Sequence, residues 1–158
     1  MTTVFPITTP TDLDAAFAIR RAVFVVEQHV DAREEYEYED ESHHFLARTP
    51  DSSGQPLPVG TARWRRTEKG VKMERFAVLG PYRGQGVGKA LVRAVLDDVF
   101  SQQPHQRTVD PVESIYLHAQ VTAMPLYAGF GFVPVGPMFD EAGIQHYKMV
   151  LPGSAYPV

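Results

Sequence analysis

The stretch GPYRGQGVGKAL, residues 80–91, places glycines at 80, 84, 86 and 88 and then becomes helical in pattern. Glycine weakens local order, so such a density in front of a helix calls for a compensating gain. The usual gain is close approach of a ligand to bare backbone N–H groups at a helix N-terminus, where the partial positive charge suits phosphate. Before it, VKMERFAVL (71–79) reads as a strand. After it, GKALVRAVLDDVF (88–100) puts Leu91, Val92, Val95, Leu96 and Val99 on one apolar face. Strand, turn and helix therefore frame Arg83, Gly86 and Gly88 in an R-x-x-G-x-G spacing. The plainer reading is a turn with only a topological role. Two nucleotide loops fail on residues. Gly84, Gly86 and Gly88 run G-x-G-x-G rather than G-x-G-x-x-G, and the Gly88-Lys89 pair lacks both the earlier glycine and the hydroxyl that an ATP loop needs.

Outward from that centre, TVFPI (3–7) reads as a strand and residues 9–25 as a helix capped by Thr11. Residues 33–42 are strongly acidic. HHFLART (43–49) and PVGTARWRRT (58–67) read as strands joined by a turn-rich hairpin. Residues 101–113 are a polar loop, 114–121 a strand, and 122–132 a short helix stopped by Gly129. Residues 132–136 and 144–151 are closing strands with a connection between them. Alternating elements with interspersed hairpins predict a mixed α/β sheet with helices on both faces.

The chain has 158 residues, suited to one domain over 1–158, and a formal charge of −4, which leaves no basic footprint for nucleic acid. No apolar run approaches the ~20 residues of a membrane span. The first residues lack the pattern of a signal peptide, so a cytoplasmic location is the expectation. With no cysteine, disulfides, thiolate metal sites and thiol nucleophiles are excluded. His43, His44 and His146 make no metal constellation, so no metal is expected.

The loop RGQGVG (83–88) resembles the Q/R-x-x-G-x-G/A loop of the GNAT superfamily of acyl-CoA-dependent N-acyltransferases. The strand ahead of it carries Val78 and Pro81, the proline one residue later than the commonest spacing. LHAQVTAMPLYAGFGF (117–132) supplies Gln120, Ala123, Tyr127 and Gly131-Phe132 at the family's intervals. IRRAVFVVEQ (19–28), SHHFLA (42–47), GTARWR (60–65) and MFDEAGIQHYKM (138–149) resemble a branch of small bacterial members.

The resemblance implies a mostly antiparallel sheet with two splayed central parallel strands, MERFAVL and SIYLHAQ, that admit the pantetheine arm of acetyl-CoA. Backbone of Phe76, Ala77 and Val78 would pair with the arm as an added strand does. N–H groups of Gly84, Gln85, Gly86, Val87, Gly88 and Lys89 would hold the pyrophosphate, Gln120 would touch the cofactor, and Arg83 would either add charge or only support the turn. The implied chemistry is direct attack of a primary amine on the thioester in a ternary complex. Tyr127 matches the family's acid, or else packs against the cofactor without proton transfer. The base is open between Glu74, Glu27, His118 and water, and Gln28 together with Glu27 would meet the acceptor. On a strand, 74, 76 and 78 share a face, so a bulge decides where Glu74 points. The acidic run is either a solvated face or a lure for a small cationic amine. A synthase resembling acyl-homoserine lactone synthases and a non-catalytic acyl-CoA-binding module are the alternatives. A small-molecule acceptor is the expected partner, with no nucleic acid and no membrane; a homodimer is compatible with the sequence.

Overall fold

The computed structural model describes residues 1–102 and 114–155. Its sheet has the order β1-β2-β3-β4-β5-β7-β6. The strands are β1 (Thr3–Pro6), β2 (His43–Pro50), β3 (Pro56–Thr67), β4 (Gly70–Val78), β5 (Ile115–Gln120), β6 (Val133–Glu141) and β7 (Ile144–Leu151). All neighbouring pairs are antiparallel except β4 and β5, which run parallel and pair only at Val71–Ile115 and Lys72–Tyr116. Beyond Lys72 the two strands part, and the gap is the architectural fact from which the site follows. The mixed sheet and its splayed central pair match the expected fold.

Helices cover both faces because the strands alternate. On β2, Phe45 and Ala47 join the core under α3 (Val87–Gln102), while Leu46 between them packs with Ala16, Ile19 and Val23 of the first helical segment. Helix α3 buries Val87, Leu91, Val95 and Val99, four residues apart, with Val92 and Leu96 beside them. The first helix, α1 (Pro10–Arg20), is capped by Thr9, whose Oγ1 accepts the Asp12 amide, not by Thr11. Pro10 occupies the first turn, where its missing N–H costs nothing.

Helix α1 does not continue as regular α-helix to residue 25. Residues Arg21–Glu27 widen into a π-helical turn, with the Gln28 amide reaching back to Val23 O at 3.0 Å. Such turns are uncommon and cluster at functional sites. Here it delivers Glu27 and Gln28 to the splayed gap. The acidic segment contains a single helical turn, α2 (Ala32–Glu35). A 3₁₀ turn at Val121–Ala123 leads into α4 (Met124–Ala128), which ends at Gly129 as expected. Strand β6 runs on to Glu141, so the link to β7 is only Ala142 and Gly143, shorter than the expected connection. The expected loop over 101–113 falls largely outside the described residues.

Strand β4 contains the bulge on which the direction of Glu74 depended. Register shifts between Thr61 and Arg63 on β3, and opposite them Arg75 adopts φ 59°. Before the bulge Val71 and Met73 face α3; after it Phe76 and Val78 do, and Ala77 turns to α1. One inserted residue has exchanged the faces. Glu74 therefore lies on the side opposite Phe76 and Val78.

Candidate active site

Two cavities open along the gap between β4 and β5. One, of about 690 Å³, runs from the glycine loop to Tyr127 and is lined by Val78, Arg83, Gly84, Gly86, Gly88 and Lys89 among others. The second, of about 370 Å³, lies toward the acidic segment and is lined by Glu37, Arg65, Glu74, His118, Glu141 and His146 among others. Both are lined by Gln28, Phe76, Gln120, Ala123 and Tyr127. These five residues mark where the cavities meet.

The first cavity has the polar groups expected of an acyl-CoA groove. The Leu79 amide bonds Val59 O on β3. Strand alternation then turns the N–H and C=O groups of Val78 and Phe76 toward the gap. Ala77 is paired with Thr61 on β3, so its own backbone groups face away from the gap, unlike those of Phe76 and Val78. At the loop, Gly84 and Gly86 hold φ of 75° and 86°, where a side chain would be strained. Gly88 is needed for packing as well, since a Cβ there would lie 3.3 Å from Leu126. The first helical bond of α3 runs from the Ala90 amide to Gly86 O, which leaves the amides of Val87, Gly88 and Lys89 without intrahelical acceptors. Gln85 folds its carboxamide back onto Pro81 O.

Arg83 is already engaged. Its guanidinium donates bidentately to Glu27 at 2.7 and 2.8 Å, and its Nε–H donates to Val78 O at 2.9 Å. Glu27 therefore lies on the first cavity, not on the second where an acceptor-binding role would place it, and the hydrogen bonds from Arg83 hold its carboxyl below the ordinary value. Gln28 and Gln120 hydrogen-bond each other reciprocally at the meeting point.

Tyr127 reaches the junction from α4. Its ring stands edge-on to Phe76 at 5.6 Å and to Phe132 at 6.3 Å. Its hydroxyl has no hydrogen-bond partner among the described residues. Burial pushes the phenol well above its ordinary value, so it holds its proton.

Around the second cavity, much of the charge is consumed internally. Arg20 is 1% exposed and grips Glu35 (2%) through Nε and Nη2 at 2.9 Å each, while Nη1 and Nη2 reach Glu39 at 3.0 and 2.7 Å. Arg63, also buried, bonds Glu74 at 2.8 Å, Glu39 at 3.0 Å and the Glu37 carbonyl at 2.6 Å. Glu74 further accepts from Arg65 at 2.6 Å and lies 3.5 Å from Lys72. Burial alone would raise the Glu74 carboxyl, but the charges of Arg63 and Lys72 and the Arg65 hydrogen bond outweigh it and hold it at about 2. A carboxylate so stabilised is a weak proton acceptor at neutral pH. The acidic run is thus divided: Glu35 and Glu39 are counter-ions for Arg20 and Arg63, whereas Glu34, Glu37, Asp40 and Glu41 are exposed. Sequence reading missed this network, though Arg20 beside Ile19 and Arg63 between Ala62 and Trp64 signal it, being cations within apolar runs.

His43 and His44 point to opposite faces as expected. His43 stacks on Trp64 at 4.0 Å, whereas His44 Nε2 meets Glu39 O at 2.9 Å. Among the described residues no cluster of His, Asp or Glu has the arrangement of a metal site, and no helix is long and apolar enough to cross a membrane.

Splayed parallel strands, a glycine loop opening a helix, and a tyrosine where two cavities meet define an acyl-CoA-dependent acyltransferase fold. A family model described as an acetyltransferase (GNAT) domain matches residues 8–152, and the chain belongs to that family. It is 33% identical over 147 residues to Bacillus subtilis (strain 168) YyaT, covering 90% of each chain. It is 36% identical over 144 residues to the uncharacterized N-acetyltransferase YjcF of the same organism, covering 87% of this chain and 91% of that one. Among solved structures, Escherichia coli ElaA superposes with a TM-score of 0.78 at 26% identity, covering 96% of this chain and all of ElaA. An acyl-CoA N-acyltransferase from Pseudomonas aeruginosa gives 0.73 at 27% identity, covering 96% of this chain and 99% of that one. The fold implies an acyl-CoA cosubstrate.

Proposed function

We propose that the protein transfers the acetyl group of acetyl-CoA to a primary amine by direct attack within a ternary complex. The observation that carries this reading is Tyr127: a buried phenol whose hydroxyl has no hydrogen-bond partner among the described residues, at the junction of a groove fit for acyl-CoA and a second, polar cavity. The gap-facing backbone of Phe76 and Val78 pairs with the pantetheine arm. The amides of Gly84 to Lys89 take the pyrophosphate at the positive end of α3. Gln120 meets the arm's end, and Gln28 lies between donor and acceptor. Acetyl-CoA, when bound, supplies an activated thioester carbonyl.

Tyr127 donates a hydrogen bond, then its proton, to the departing sulfur. An unperturbed thiol titrates near ~8.5 and a phenol near ~10, so complete transfer occurs only as the C–S bond breaks and negative charge grows on sulfur. Arg83 acts by position: it clamps the π-helical turn to the loop through Glu27 and holds the Val78 carbonyl. Glu74 supports the cationic wall of the acceptor cavity rather than accepting the proton. Glu34 and Glu37, exposed on the wall of this cavity, are the carboxylates left to meet a cationic acceptor.

Release of free thiol from acetyl-CoA, scanned over primary amines, tests the proposal. Transfer to at least one amine, lost in Tyr127→Phe, is the expected result. Tight acetyl-CoA binding with no amine acetylated would leave only an acyl-CoA-binding module.

A further inference from the structure

We propose that His118 is the general base of the acceptor cavity and that Glu141 is the residue that positions it. The inference rests on the acetyltransferase reading and assigns the proton acceptor that this reading lacks.

A primary amine with a lysine-like value near ~10.4 is mostly protonated at neutral pH, so its nitrogen must shed protons before and during attack. The carboxylates deepest in the cavity are occupied. Glu74 is bonded by Arg63 and Arg65, and Glu35 by Arg20. Glu27 is clamped to Arg83 in the other groove. An imidazole, ordinarily near ~6.5, is a stronger base than a carboxylate near ~4.3.

Strand alternation aims His118 at the cavity. Its neighbours Leu117 and Ala119 are buried in the core under α3, so His118 faces the other side, where it lines the acceptor cavity with Glu74 and Tyr127. Its Nδ1 lies 3.2 Å from Glu141 Oε1. A carboxylate only accepts, so Nδ1 is the donor and Nε2 keeps its lone pair. Nε2 has no hydrogen-bond partner among the described residues. Phe139 holds the ring edge-on at 5.0 Å. The second oxygen of Glu141 lies 3.7 Å from His146 Nε2, and His146 Nδ1 is tied to Ile144 O at 2.7 Å. Glu141 thus stands between two imidazoles, of which His146 is buried and His118 is the more open.

The charged and titratable groups around His118 come from every neighbouring strand. Lys72 and Glu74 face it from β4, Glu141 from β6, His146 and Lys148 from β7, and Tyr116 lies on β5 itself. Lys148 sits over the Tyr116 ring at 5.1 Å rather than over His118. Glu141 is the group in direct contact, and the hydrogen bond from His118 holds its carboxyl below the ordinary value.

The step balances. The amine nitrogen bonds to the acyl carbon and the C–S bond breaks. The proton leaving nitrogen goes to His118 Nε2. The sulfur takes the Tyr127 proton, and the imidazolium returns a proton to the phenolate through solvent.

Two readouts test the assignment, with folding of each variant checked by its melting temperature and by CoA binding in calorimetry. Nitrogen-15 NMR of the free enzyme needs no acceptor and should show the His118 ring at pH 8 protonated on Nδ1 and free on Nε2, with that tautomer preference weakened in Glu141→Gln. The second readout is acetyl transfer to 2-phenylethylamine. His118→Gln should lower kcat by about 10²-fold, remove the rise of kcat between acid and neutral pH, leave KM for acetyl-CoA unchanged, and respond to added imidazole. Glu141→Gln should lower kcat by loosening the ring while leaving KM for acetyl-CoA unchanged. An Nε2–H tautomer, an unchanged pH profile in His118→Gln, or loss of the profile in His146→Gln instead would overturn the assignment. Failure of the wild type to acetylate 2-phenylethylamine would count against the acetyltransferase reading for that acceptor, while the tautomer still judges the dyad.

Discussion

The carboxamides of Gln28 and Gln120 hydrogen-bond each other in both directions, at 3.3 and 2.9 Å, between residues far apart in sequence. The pair spans the seam between the two cavities. On the proposed reading, an acyl group passing from the groove toward the acceptor would meet this bridge. Shortening one partner should relax the limit on acyl length. Gln28→Ala is expected to raise the ratio of kcat/KM for butyryl-CoA over acetyl-CoA by at least about 10-fold, the scale of one or two methylenes in a pocket. The same ratio in wild type and variant would free the pair of that role.

The glycine loop makes a different prediction. Gly86 has open space around an added Cβ but a φ of 86°. Gly86→Val should therefore keep the fold and distort the loop, at about 1–2 kcal/mol, weakening CoA binding by about 10-fold or more. Gly80 also has open space, without positive φ, so Gly80→Ala serves as the control and should bind CoA normally. Calorimetry with CoA decides between them.

Removing the Tyr127 hydroxyl tests the acid. Tyr127→Phe keeps the edge-on contacts with Phe76 and Phe132. It should lower kcat by about 10²–10⁴-fold with little change in acetyl-CoA affinity. Full activity under conditions where chemistry limits turnover would remove Tyr127 from the mechanism.

Members of the acidic run should behave unlike one another. Glu35 is buried against Arg20, so Glu35→Ala strips the Nε acceptor and leaves Glu39 as the carboxylate paired with that buried guanidinium, which should cost about 3 kcal/mol in denaturant unfolding. Glu37 lines the acceptor cavity, and Glu37→Gln should leave stability alone while raising KM for a cationic amine. Equal effects of the two substitutions would mean that the run acts as one surface.

Glu74 sets an acid limit on stability. Its folded value, about 2, lies below the usual 4.5. A depressed carboxylate contributes stability that is fully present above 4.5 and is lost as pH falls from there toward 2. The difference corresponds to about 3 kcal/mol. Glu74→Gln should flatten the fall of unfolding free energy across that window. An unchanged slope would mean that other carboxylates, such as Glu39, carry it.

Much of the frame was readable from residues in local order. The spacing Val87, Leu91, Val95, Val99 identifies α3, and the glycines before it identify the loop, because helix periodicity and positive φ are local properties. The short helix ended by Gly129, the opposed faces of His43 and His44, and the general family follow from the same kind of pattern. The strand ends, the cap at Thr9 and the π-helical turn after Arg20 were less legible, since a helix end is set by competition among nearly equal local bonds.

What the sequence determined by itself, then, is the order of elements and the chemical inventory: a glycine loop, a tyrosine, histidines, acids and arginines. What tertiary structure decided is which of these are free to act. A bulge at Arg75 moved Glu74 to the face opposite Phe76. Arg83 was claimed by Glu27, and Glu35 and Glu39 by Arg20 and Arg63, all across long sequence separations. Charges seek partners through space, and the energy of a pair depends on burial and distance rather than on position along the chain. The same physics leaves His118, on the wall of the second cavity, with one carboxylate and, among the described residues, one unpartnered nitrogen.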